Sequence, residues 1–363
     1  MQFRLCEAPC FFPKELLERM AQFGKELVHQ LDNAQYRQAS DAAIPPEFNV
    51  PNEAPHPMFV QVDFGLARDA RGKLQPKLVE LQGFPSLYAY QAMLSQIYIE
   101  IFELDKDLCY LYGGLDWEAY KDLLSKAILG GHDPENVILM EIDPLHQKTL
   151  PDFLLTEKLL GIPTVAITDV EKHGRELFYR LAGTRIPIRR IYNRTIVDEL
   201  IRKKLKLNFR FEELNVEWAG HPNWYFRISK FSLPYLKHEC VPKTDFLNRV
   251  DRIPDDLRSY VIKPLFSFAG LGVIINPTKK DVAAIPPDQR SQYILQEKIN
   301  FEPIIETPFG PTKAEIRMMY IWVDELQPVM SIVRMGRGVM MGVDHNKNME
   351  WVGSSAALYP SKA

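Results

Sequence analysis

The sequence predicts an α+β chain that carries an α/β section in its middle, and three observations predict it. Between about residues 117 and 194, amphipathic helices alternate with short apolar strands, the rhythm of a parallel sheet covered by helices. On either side of that section, short runs alternate apolar and polar residues, as half-buried strands do. Glycine is scarce: 27 prolines stand against 19 glycines, and neither GxGxxG nor GxxxxGK[ST] occurs, which disfavours the glycine-loop nucleotide folds.

A chain of 363 residues is long enough for two or three domains. With 44 Lys and Arg against 47 Asp and Glu, its charge of −3 argues against a nucleic-acid partner, which needs a basic field. Cys6, Cys10, Cys109 and Cys240 form no CxxC pair and no zinc spacing, and free thiols suit a reducing compartment. The N-terminus has no apolar signal core, and the longest apolar stretches fall far short of a membrane span. A cytoplasmic protein with no membrane partner is expected, with a homodimer left open.

The elements follow in order. Residues 14–31 carry apolar positions at helical spacing. A stretch with five prolines, ending at Pro57, reads as a loop. FVQVDFGL and KLVELQ read as the two strands of a hairpin, and SLYAYQAMLSQIYIEIFEL as a long, mostly buried helix. The middle section runs helix WEAYKDLLSKAIL, strand NVILMEI, helix KTLPDFLLTEKLL, strand PTVAITD, another helix, and strand IRRIYNR. The last section holds a short helix at Lys230, strands YVIKPL, VIINP, YILQEKI, EIRMMYIWV and PVMSIVRMG, and a final polar loop, GVDHNKNMEWVGSS. The domain reading is 1–110, 111–215 and 216–363.

Chemistry concentrates in two places. In SYVIKPLFSFAGLGVIINP, a lysine ends one strand and a small-residue loop leads into the next. Gly270 and Gly272 let that loop's backbone approach a ligand, so its N–H groups can cradle phosphate with Lys263 as a point charge. Lys230, about thirty residues upstream, would hold the same phosphates from a second side. Gln296 and Glu297 end an apolar strand, where backbone groups can read an adenine edge and the carboxylate can take ribose or the amino group. Glu297 equally suits a solvated strand end. The second place is the N-terminal hairpin. Asp63 stands on its first strand, and Glu80 and Gln82, two apart, share a face of the second. Two carboxylates and an amide oxygen are hard ligands suited to magnesium shared with phosphates. His146 and Gln147 follow a predicted parallel strand, where open α/β sheets bind ligands.

In this order the residues resemble the ATP-grasp family: a lysine, VIKP with its small-residue loop, a strand ending in QE, then EIR and a further VR. The resemblance implies an ATP-grasp fold with a small parallel-sheet domain before it, and ATP held by Lys230 and Lys263. It also implies an adenine hinge from Gln296 to Ile299 and a flap from Ser267 to Gly272. The usual Glu-x-Asn metal motif is missing after VR, where the chain offers Asp344, Asn346 and Asn348 instead. The hairpin followed by FPSLYAYQ, with RISKFSLPYL and YVIKP later, resembles the circularly permuted branch typified by glutathionylspermidine synthase. By that match Asp63, Glu80 and Gln82 take the magnesium roles, with Gln82 in place of an asparagine. The branch's arginine two residues before the aspartate is Gln61 here, so Arg317 and Arg334 are the available catalytic substitutes. The function implied is an ATP- and Mg2+-dependent carboxylate–amine ligase, working through an acyl phosphate on small-molecule or peptide carboxylate and amine substrates. The alternatives are a non-catalytic ATP-binding scaffold or a small-molecule kinase on the same fold.

Overall fold

The computed structural model describes residues 3–267, 270–342, 346 and 348–361. The chain begins with β1 (Cys10–Phe11) and helix α1 (Lys14–Gln30), which buries Leu17, Met20, Phe23, Leu27 and Val28 on one face. A second helix, α2 (Ala34–Asp41), follows where a loop was expected. Asn33 starts it by accepting the Tyr36 N–H at 2.8 Å. The hairpin then forms as β2 (Phe59–Arg68) and β3 (Leu74–Gln82), followed by α3 (Tyr88–Ile101) and β4 (Leu108–Cys109).

The middle section opens with α4 (Trp117–Leu129), β5 (Val137–Glu141), α5 (Leu150–Leu160) and β6 (Thr164–Ala166). Gly130 and Gly161 end the two helices in the left-handed conformation that suits glycine. The helix expected next is absent. The chain forms instead a three-stranded antiparallel sheet, β7 (Glu171–His173), β8 (Glu176–Leu181) and β9 (Thr184–Ile188). Gly174 and the pair Ala182–Gly183, all at positive φ, make its two tight turns. After β10 (Arg190–Asn193) and α6 (Val197–Lys203), β11 (Glu217–Ala219) completes a parallel sheet in the order β11-β10-β5-β6.

The last section contains α7 (Asn223–Arg227), a 3-10 turn at Lys230–Tyr235, β12 (Thr244–Phe246), β13 (Tyr260–Pro264), β14 (Ile274–Ile275), α8 (Lys279–Ala284) and β15 (Tyr293–Glu297). Its strands form an antiparallel sheet, β12-β15-β13-β14. The chain ends with β16 (Pro303–Ile305), β17 (Thr312–Trp322), β18 (Leu326–Gly336) and β19 (Gly353–Pro360). The Gly-Ser-Ser that reads as loop in sequence begins β19, whose Ser354 to Leu358 are buried, with α3 against the strand. Asp344 and the middle of the flap, 268–269, lie outside the described residues.

The N-terminal hairpin pairs with the C-terminal strands. β2 runs antiparallel to β17 in an eight-stranded sheet ordered β1-β19-β18-β17-β2-β3, with β16 and β4 at its margins. One face, with Val60, Val62, Phe64, Ile316, Met318 and Tyr320, joins the residues of α1 in a shared core. No helix among the described residues is long and apolar enough to cross a membrane.

Candidate functional site

β2 is buried from Phe59 to Leu66, so its two polar side chains, Gln61 and Asp63, are buried too and need partners. Residues opposite each other across an antiparallel pair share a face. Asp63 faces Glu80 on β3 and Arg317 on β17, and Glu315 on β17 faces Arg334 on β18. Arg317 grips Asp63 with Nε to Oδ1 at 2.6 Å and Nη2 to Oδ2 at 2.7 Å. Its Nη1 donates to Gln61 Oε1 at 2.8 Å. Arg334 donates to the same Asp63 oxygen and lies 2.6 Å from Glu315. Glu80 pairs with Lys230 at 3.2 Å and accepts from the Gln82 amide at 2.6 Å. Lys230 donates to the Ser267 carbonyl at 2.6 Å, and Lys263 to the Val79 carbonyl at 3.0 Å.

Four cations and three carboxylates thus share one patch of the sheet and its edge. Burial alone would raise the Glu80 carboxyl, but Lys230, Lys263, Arg317 and Arg334 outweigh it and bring the pKa down to about 2. Burial lowers Lys263 to about 8, with Glu80 opposing and Lys230 adding to the fall. Burial also raises Glu315, against the pull of Arg334.

This patch forms one wall of a cavity of about 820 Å³. Among the described residues its lining carries nine Lys and Arg against five Glu, a surplus of four in a chain of net charge −3. Such a lining is complementary to negative charge. On the side of the antiparallel sheet, Val261, Val273, Ile275 and Ile299 form an apolar slot with Gln296 and Glu297 beside it. On the opposite side, the cavity meets the C-terminal edge of the parallel sheet, at Glu141, His146, Gln147, Thr149 and Arg194. Arg194 lies against the rings of Phe84 and Phe153, 5.5 and 5.4 Å from their centroids, and its Nε and Nη1 have no hydrogen-bond partner among the described residues. Burial raises Glu141 to about 7, with the Ile142 N–H and Arg194 opposing.

Most residues singled out in the sequence meet here. Lys230, Lys263, Gly270, Gln296, Glu297, Ile299, Glu80, Gln82, Arg317 and Arg334 line the cavity, as do His146 and Gln147. Ser267 sits to one side, in a crevice beneath Lys230. Gly272 stands off the lining; its φ of +73° requires glycine, and a Cβ there would press on Pro264. Asn346 is buried away from the cavity lining, bonded to the Gly338 N–H and to the Met340 and Gly342 carbonyls. Glu315, Glu141 and Arg194 were missed, although the EIR alternation already places Glu315 and Arg317 on one face.

The metal assignment needs correcting at one residue. Both oxygens of Asp63 are held by guanidinium groups and its side chain is 1% exposed, so it does not fit as a magnesium ligand. No group of three or more His, Cys, Asp or Glu suits a metal ion among the described residues. Glu80, Glu315 and the Gln82 amide oxygen remain as hard donors in the lining, enough for an ion that brings phosphate oxygens with it.

The structure matches that of a glutathione synthetase-like effector from Globodera pallida, solved in its apo form, with a TM-score of 0.64 and 12% sequence identity. The match covers 99% of this chain and 90% of that one, and at this identity the likeness is one of fold. No protein-family model matches the chain, and no curated protein matches it in sequence.

Proposed function

We propose that the chain binds ATP in this cavity and uses it to join a carboxylate to an amine. The carrying observation is the cationic surplus of the lining, flanked by an apolar slot on one side and a buried arginine on the other. The slot takes adenine, with backbone groups at 297–299 on its outer edge, and Lys230 and Lys263 take the phosphates. At the far side Arg194 and Thr149 orient a substrate carboxylate, and Glu141 and Gln147 take a neighbouring amino or amide group. The transferring phosphoryl group lies between, where Arg317 and Arg334 oppose its charge. Magnesium entering with the nucleotide would be held by Glu80, Glu315 and Gln82 and would neutralise developing charge there. The substrate carboxylate attacks the γ-phosphorus and ADP leaves; the amine then displaces phosphate from the resulting acyl phosphate and loses a proton, so no side-chain nucleophile is needed. The glutathione synthetase-like fold supports a ligase. The pairing of the N-terminal hairpin with the C-terminal strands supports the permuted chain order of the branch typified by glutathionylspermidine synthase.

The test is ADP release from Mg-ATP with a panel of peptide carboxylates and amines. Stimulated release is expected, and Glu80→Gln is expected to abolish it while leaving the fold intact. Full turnover in that variant would remove Glu80 from the mechanism. A second reading, an ATP-binding scaffold without turnover, is favoured by Gln61 where the branch has arginine; ATP binding with no stimulated release across the panel would select it.

A further inference from the structure

Arg317 is gripped by protein groups before any ligand arrives. Asp63 accepts from its Nε and Nη2 at 2.6 and 2.7 Å, and Gln61 Oε1 accepts from its Nη1 at 2.8 Å. Gln61 is anchored in turn, its Nε2 donating to the Ser86 carbonyl at 2.7 Å. Asp63 lies opposite Arg317 in the pairing of β2 with β17, and Gln61 occupies the next position on the same face. Both are buried on β2, and neither is among the residues that line the cavity, whereas Arg317 is. A guanidinium carries five N–H groups. These contacts use three, which leaves one on Nη1 and one on Nη2 for a ligand. A flexible side chain fixed in this way has already lost its rotamer freedom, and a donor set in advance opposes charge without reorganising.

We propose that Gln61 and Asp63 are positioning residues, a cradle that holds the Arg317 guanidinium against the terminal phosphate of the nucleotide. Neither touches the nucleotide or its metal ion; both act through Arg317. The proposal rests on the nucleotide reading above, but it moves Asp63 away from the magnesium role that the sequence resemblance implies for it. It also gives Gln61 a task of its own: an arginine there would set a second positive charge beside Arg317, whereas the amide accepts from it. Asp63 Oδ2 is shared with Arg334, so the cradle ties the two arginines of the wall together.

Equilibrium titration of the full chain with Mg-ATP and Mg-ADP tests it, since only the terminal phosphate separates the two. The wild type is expected to prefer ATP by about tenfold or more. Gln61→Met, of similar volume, removes one wall of the cradle. Its ADP affinity is expected to stay within about threefold of wild type while its preference for ATP falls to about threefold or less. A variant that keeps the wild-type preference overturns the proposal, as does one that weakens both nucleotides together, the mark of a structural lesion. In Asp63→Asn, Mn2+ bound with a non-hydrolysable ATP analogue is counted by electron paramagnetic resonance. Its affinity is expected to stay within about threefold of wild type, and a loss of about tenfold would make Asp63 a metal ligand and overturn the proposal. Should neither variant fold, the wild-type comparison decides: equal affinity for ATP and ADP overturns the cradle and leaves the nucleotide site standing. If neither nucleotide binds the wild type, the nucleotide reading itself fails, and the proposal with it.

Discussion

Asp63 holds two strands of the sheet together through charge. Removing one partner of a buried pair leaves the other uncompensated, which costs about 3–5 kcal/mol. Among the described residues Asp63 is the carboxylate that Arg317 pairs with directly, whereas Arg334 also pairs with Glu315. Asp63→Ala is therefore expected to lower unfolding free energy by about 3 kcal/mol or more in denaturant titration. A loss under 1 kcal/mol would mean the arginines find water or other partners. Glu141 makes an opposite case. Its carboxyl titrates near 7 in the fold and near 4.5 when free, so between those values the folded chain holds a proton that the unfolded chain releases. Stability then falls as pH rises through that window, on the order of 3 kcal/mol in total. Glu141→Gln keeps the acceptor for Ile142 and is expected to remove this part of the slope between pH 5 and 8. Parallel stability curves for variant and wild type would contradict the assignment.

At the scale of elements, the sequence was legible where one periodicity ruled. α4 matches its expected span, and the long apolar strands fall where their patterns placed them. The failures have local causes. The stretch between PTVAITD and IRRIYNR carries many charges and reads as a helix, yet Leu177 and Tyr179 are buried on one side of β8 with period two, and glycines at 174 and 183 supply the turns. β19 escaped notice because small residues usually mark loops; here they stay small where α3 packs against the strand. α1 yields an element-scale prediction. Gly→Ala in a helix normally stabilises by about 1 kcal/mol, but a Cβ on Gly24 would overlap the Tyr320 ring, whose hydroxyl bonds the Ala21 carbonyl at 2.9 Å. Gly24→Ala is expected to destabilise by about 1–3 kcal/mol, read as a lowered Tm. A raised Tm would show that α1 can shift away from the sheet.

At the scale of the molecule, the cavity unites segments far apart in sequence: the hairpin, the edge of the parallel sheet, the antiparallel sheet and the last long strands. Motif order exposed the lysines, the hinge and the hairpin carboxylates, since each sits in a recognisable local pattern. Glu141 and Arg194 have no such pattern, because their role depends on where two parallel strands end in space. The partnership of Asp63 with two arginines was hidden for a related reason: it depends on a register spanning more than 250 residues. The scarcity of glycine fits the proposed site, in which side chains rather than a glycine loop would supply most contacts to the nucleotide.

The central claim is that this cavity binds ATP through its lysines, and Lys263 tests it most directly. Calorimetric titration of Mg-ATP into the wild-type chain is expected to show one saturable site. Lys263→Ala is expected to bind about tenfold or more weakly, with its fold intact by circular dichroism. Equal affinity in the two proteins, or no binding by the wild type, would contradict the account.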